Sequence, residues 1–179
     1  MQLSRRKFLQ LSTGGLVLSA FPSIALASPA TKARTLVLNN LHTGESLETC
    51  YFDGRSYDHS ELNKLNHLCR DFRRNEVFAM DKRLFDQIAR IREVLGTQAE
   101  VEIISGYRSP ATNEMLRNRS SGVAKKSYHM TGQAIDFRLK GVSLKKVRNA
   151  ARSIRAGGVG YYPSSNFVHI DTGPVRYWS

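Results

Sequence analysis

Two histidines and one aspartate carry the most chemistry in this 179-residue chain. His129 and Asp136 lie in the run Ser127-Tyr128-His129-Met130-Thr131-Gly132-Gln133-Ala134-Ile135-Asp136, and His169 lies in the apolar segment Phe167-Val168-His169-Ile170-Asp171. Two imidazoles and a carboxylate form a zinc ligand set that leaves the fourth position open, as catalytic rather than structural sites do. Zinc held there would lower the pKa of a bound water towards ~7 and polarise a scissile carbonyl. The chemistry implied is amide hydrolysis without a covalent intermediate, with one zinc ion per chain. A lone histidine is more often a surface or hydrogen-bonded residue, and His42, His59 and His67 read that way. Asp136 taken alone could pair with an arginine. The pattern His-x-x-Gly-x-Ala-x-Asp, followed by a late histidine between apolar residues, is much more specific.

Backbone elements must bring these residues together. Residues 133–139 read as a strand, with Ala134, Asp136 and Arg138 opposite Ile135, Phe137 and Leu139. Residues 167–171 read as a last short strand that turns Phe167, His169 and Asp171 to one face. Two such strands side by side would aim Asp136 and His169 at one point, with His129 entering from the loop before. Upstream, 35–39 and 46–52 alternate as a hairpin. Leu62, Leu65, Leu68 and Phe72 predict a helix over 58–74, capped by Asp58 or Ser60. Asp81 caps a second helix that turns Leu84, Phe85, Ile88, Ile91 and Leu95 inward and stops before Gly96. A strand at 101–104 leads to Pro110, which suits the first turn of a helix reaching about Arg119. A basic loop, a helix from Ser143 to about Arg155 and a Gly-rich strand over 156–162 complete the order. The expected fold class is α+β: a central, mostly antiparallel sheet flanked by helices, with the zinc site on the sheet.

The N-terminus reads as an address. Ser4-Arg5-Arg6-Lys7-Phe8-Leu9 precedes a short apolar stretch and the small residues Ala25-Leu26-Ala27. This is a twin-arginine signal peptide over 1–27, cleaved to leave a single zinc peptidase domain over 28–179. The stretch is too short for the ~20 residues of a membrane span. The expected location is therefore the periplasm, with no stable membrane span. The formal charge of +12 favours anionic partners. Basic and aromatic residues are not interleaved in the stripe that single-stranded nucleic acid needs, so no nucleic-acid partner is expected. Cys50 and Cys69 lack C-x-x-C spacing and read as structural, with a disulfide left open. The sequence does not fix an oligomeric state.

The run from His129 to Asp136 resembles the zinc signature of the M15 D-Ala-D-Ala peptidases, which share the hedgehog/DD-peptidase fold. Ile104-Ser105-Gly106-Tyr107-Arg108-Ser109, the run Gly122 to His129, and the stretch Gly157 to Pro174 are similar to a murein-endopeptidase subgroup of that family. The likeness extends back to Leu38 and spans nearly all of 28–179. It implies zinc on His129, Asp136 and His169, and hydrolysis of peptidoglycan cross-links between stem peptides, at bonds to meso-diaminopimelate. It also implies a role for Arg108 on a substrate carboxylate or the tetrahedral oxyanion, where the residue alone could equally make a surface salt bridge. One departure concerns the base. The wider family carries an acid three residues before the last zinc histidine, or a histidine two before it; this chain has Asn166 and Phe167. Asn166 could orient water but cannot take a proton. Asp171 could hydrogen-bond His169 or move a proton. Ser127 and Tyr161 are candidate substrate contacts, Tyr162 is a further donor, and Lys125 and Lys126 border the zinc loop. The unconventional position 166 also fits a non-catalytic, zinc-stabilised peptidoglycan-binding module.

Overall fold

A computed structural model describes residues 31–120 and 122–179, so the expected leader at 1–27 lies outside the described residues. Alternation sets the first hairpin: β1 (Arg34–Asn40) buries Leu36 and Leu38 and pairs antiparallel with β2 (Ser46–Phe52). Helix α1 (His59–Leu68) starts at Asp58, whose carboxylate accepts from the Ser60 and Glu61 amides. Such a cap is worth about 1 kcal/mol. Helix α2 (Lys82–Val94) starts at Asp81, buries Leu84, Phe85, Ile88 and Ile91 along one stripe, and is followed by Gly96 at φ 60°. Strand β3 (Val101–Ser105) leads to α3 (Pro110–Arg119), where Ser109 caps and Pro110 fills the first turn.

A 3₁₀ turn (Tyr128–Thr131) precedes β4 (Ala134–Leu139), α4 (Leu144–Ser153), β5 (Gly158–Tyr162), β6 (Phe167–Asp171) and β7 (Arg176–Trp178). The strands form one sheet in the order β2-β1-β3-β4-β6-β5-β7. Only β1–β3 and β5–β7 pair in parallel; the other neighbours are antiparallel. Helix α4 packs on β4, β5 and β6, and α2 on β1 and α4. Ile135, Phe137, Val168 and Ile170 are buried in the core, each contributing roughly 1.5–3 kcal/mol. By the strand period, Asp136, His169 and Asp171 then point to the other face. The fold is the α+β arrangement expected.

Three local expectations need correction. The first helix ends at Leu68 rather than Arg74. Beyond it the chain is captured by tertiary bonds: Tyr107 N–H donates to Cys69 O (2.7 Å), and Asp71 accepts from Ser109 N–H (2.9 Å) and Oγ (2.6 Å). Phe72 leaves the helical stripe and stacks on His42 at 4.4 Å. Phe167–Asp171 is not the last strand, because β7 follows it. Ser143 precedes α4, but its side chain makes no capping bond. Cys50 is exposed and Cys69 buried, both as free thiols; burial pushes Cys69 up to about 12. Among the described residues, no helix is long and apolar enough to cross a membrane.

Candidate metal centre

Sheet register places two of the three predicted ligands. Asp136 on β4 stands opposite His169 on β6, and His169 stands opposite Gly160 on β5. His129 arrives from the 3₁₀ turn. Ser127 caps that turn by accepting from the His129 amide (3.3 Å), and Gly132 ends it at φ 65°. Gly132 tolerates no side chain, since a Cβ there would lie 2.3 Å from the Ala79 carbonyl oxygen.

The imidazoles are oriented from behind. His129 Nδ1 lies 2.7 Å from the Gly106 carbonyl, which can only accept, so Nδ1 carries the proton and Nε2 faces Asp136 Oδ2 at 3.3 Å. His169 Nε2 lies 3.1 Å from Asp171 Oδ2, and Nδ1 faces Asp136 Oδ1 at 2.8 Å. One ligand atom from each residue falls within 4.8 Å of the others. Tetrahedral ligands at about 2.1 Å from zinc would be about 3.4 Å apart, so the spacing suits that ion. The donor set fits as well: two neutral imidazole nitrogens and one carboxylate, with both remaining N–H groups held by oxygen acceptors.

The electrostatics follow from burial and pairing. Burial disfavours charge on Asp136, yet His129 and His169 outweigh it and hold the carboxyl well below its ordinary range. Burial lowers His169, but hydrogen bonds from it to Asp136 and Asp171 prevail and raise it to about 9. Asp171 is fully buried and is held low despite that burial. Besides His169, it accepts from Gly158 N–H (3.1 Å), Gly173 N–H (2.9 Å) and both Arg176 nitrogens (3.0 and 2.6 Å).

Arg108 reaches the centre. Its amide donates to His129 O (3.1 Å), and its Nη2 lies 4.0 Å from Asp136 Oδ2. Among the described residues its guanidinium otherwise makes only long contacts, to Asn113 Oδ1 (3.4 Å) and Ser105 Oγ (3.5 Å). Burial outweighs Asp136 and lowers its pKa. Ser127 and Lys126 line a cavity of about 450 Å³ that opens onto His129, Asp136 and His169.

Two predicted residues are not brought there. Asn166 is exposed in the β5–β6 turn at φ 55°, with its amide on Pro163 O (3.2 Å). Its role there is conformational, since asparagine is among the few residues that enter the left-handed region readily. Tyr161 faces α4, where the Arg148 guanidinium sits 4.6 Å from its ring centre. Its neighbour Tyr162 lines the cavity instead. Tyr128, Arg176 and Trp178 also line the cavity without having been singled out from the sequence. Arg176 and Trp178 stand opposite Gly158 and Gly160, and those glycines leave room for the larger pair, a register that only the fold reveals.

A family model described as "Peptidoglycan L,D-endopeptidase MepK", of the type Peptidase_M15_2, matches residues 28–178. A protein named peptidoglycan L,D-endopeptidase MepK from Escherichia coli (strain K12) is 57% identical over 178 residues, covering 98% of this chain and 97% of that one. A probable peptidoglycan L,D-endopeptidase MepK from Haemophilus influenzae is 49% identical over 177 residues, covering 98% of this chain and 95% of that one.

Proposed function

Since this chain belongs to the M15-type family described as peptidoglycan L,D-endopeptidase MepK, we propose that His129, Asp136 and His169 hold the zinc with which it works. The protein is a hydrolytic peptidase, an endopeptidase of peptidoglycan. The observation that carries the zinc assignment is the pair of tethered imidazoles. Gly106 O and Asp171 occupy one nitrogen of each ring and leave the other directed at Asp136.

Zinc bound there supplies Lewis-acid activation of water and of the scissile carbonyl. The chain's own groups do the rest. Arg108, 4.0 Å from Asp136, sits beside the reacting carbonyl and stabilises the oxyanion rather than a remote carboxylate. Asp171 fixes the ring of His169, and its dense set of donors makes it a stationary acceptor rather than a proton carrier. Ser127 shapes the His129 turn and borders the stem peptide.

The substrate is a cross-linked pair of stem peptides, cut at a bond to meso-diaminopimelate. A 3,3 link has an L-configured acyl side and a 4,3 link a D-configured one. The "L,D" in the relatives' names therefore favours the 3,3 link. The twin-arginine leader at 1–27 delivers residues 28–179 to the periplasm. The test is digestion of defined 3,3 and 4,3 muropeptide dimers by the metal-free and zinc-restored protein, read by mass spectrometry. Zinc-dependent monomers from the 3,3 dimer are expected. Intact dimers under both conditions would refute the reading.

A further inference from the structure

The wall of the cavity beside His169 is built from the C-terminal strand. Trp178 pairs in register with Gly160, and a Cβ on Gly160 would lie 2.7–2.8 Å from the indole. The glycine thus lets the indole lie against β5, 5.2 Å from the His169 ring centre. Trp178 Nε1–H donates to the Tyr162 hydroxyl oxygen at 2.8 Å. The Tyr162 ring is stacked on Phe167 at 4.6 Å and 23°. Tyr162 is therefore fixed at its ring and at its oxygen. That oxygen already accepts, and its own hydrogen has no acceptor among the described residues. A phenol held this way offers its hydrogen to a ligand.

Its position says which group it meets. Tyr162 pairs with Phe167, two residues from His169 along β6, a displacement of about 6–7 Å. Its backbone is thus offset from the row that carries His169, while its ring lines the same cavity, which suits a group flanking the scissile bond. Of the cations that line the cavity, Arg176 is paired with Asp171 and Arg108 is assigned to the oxyanion, which leaves Lys126 to favour an anionic flanking group. We propose that Tyr162, positioned by Trp178, is a specificity residue that donates a hydrogen bond to the free carboxylate beside the scissile amide, on the D-centre of diaminopimelate. The assignment rests on the endopeptidase reading and deepens it.

The test compares a cross-linked dimer bearing that carboxylate with one in which it is amidated, using zinc-loaded protein. Charge-assisted hydrogen bonds are roughly twice as strong as neutral ones. Tyr162→Phe should lower kcat/KM on the free-carboxylate dimer about tenfold, mainly through KM, and on the amidated dimer about twofold or less. Zinc content should not change. Trp178→Phe should give a smaller loss in the same direction, and adding it to Tyr162→Phe should give no further loss. Trp178 is the chain's single tryptophan, so its indole N–H resonance is one signal. Titration with a monomeric stem peptide should shift it in the wild type and leave it unmoved with the amidated peptide. Equal losses on both dimers, or a Tyr162→Phe effect under twofold on the free-carboxylate dimer, would overturn the assignment. If the wild type cleaves neither dimer, the endopeptidase reading fails by itself. The stem-peptide titration then still decides the assignment, and an unmoved indole resonance overturns it.

Discussion

Asp136 and His169 face each other across the antiparallel pair β4–β6, and the same cross-strand row continues to Gly160 and Trp178. One register thus fixes two candidate metal ligands and one wall of the cavity. A one-residue slip of β6 would turn His169 into the core and Val168 into the site.

Replacing His169 with alanine removes a candidate metal ligand while the hydrophobic face of β6 stays intact. Peptide cleavage should fall by about a hundred- to a thousandfold, as when other groups central to a reaction are removed. Far-ultraviolet circular dichroism should remain that of the wild type. Unchanged turnover would remove His169 from the site.

Asp171→Asn separates ring orientation from proton transfer. Loss of a carboxylate behind a ligating histidine costs about 10–100-fold in metal affinity. Activity should therefore drop at limiting zinc and recover in excess zinc. A defect that excess zinc leaves untouched would instead make Asp171 a proton carrier.

Gly106 serves His129 through its carbonyl while packing on the end of α1. A Cβ there would lie 2.4 Å from Cys69 O. Gly106→Ala should shift the His129 acceptor and weaken zinc binding, measured by competition with a chromogenic chelator. Gly141→Asn, at a site with open space around its Cβ position and a left-handed φ of 74° that asparagine tolerates, should leave zinc affinity alone.

Asp71 ties the segment after α1 to Ser109, next to Arg108. Burial opposes its charge, but hydrogen bonds from Ser109 and Thr112 prevail and lower its pKa. A carboxyl lowered in the folded state adds stability above its unfolded pKa of about 3.9 and loses it as pH falls through the folded value. Asp71→Asn should therefore lower the denaturation midpoint at pH 7, with the difference from wild type shrinking in acid. A constant difference from neutral to strongly acidic pH would assign the loss to packing.

Much of this site was legible because strands alternate with period two. That period put Asp136 and His169 on one face, and His129 was readable from its motif. The period was also available for β5, but without the β5–β6 register nothing said whether Tyr161 or Tyr162 faced His169. Strand β7 has three residues, too few to declare a period, so Arg176 and Trp178 stayed hidden. Asn166 was selected by its distance from His169 in the sequence, whereas its left-handed backbone marks it as a turn residue. The helix predicted through Phe72 followed an apolar spacing that tertiary capture of Asp71 overrode.

The account rests on an ion held by three residues. X-ray diffraction from zinc-soaked crystals, with data on both sides of the zinc absorption edge, tests it most directly. One anomalous peak per chain is predicted, about 2.0–2.2 Å from His129 Nε2, an Asp136 oxygen and His169 Nδ1. A fully active protein with no peak between these atoms, or with its zinc held elsewhere, would contradict it.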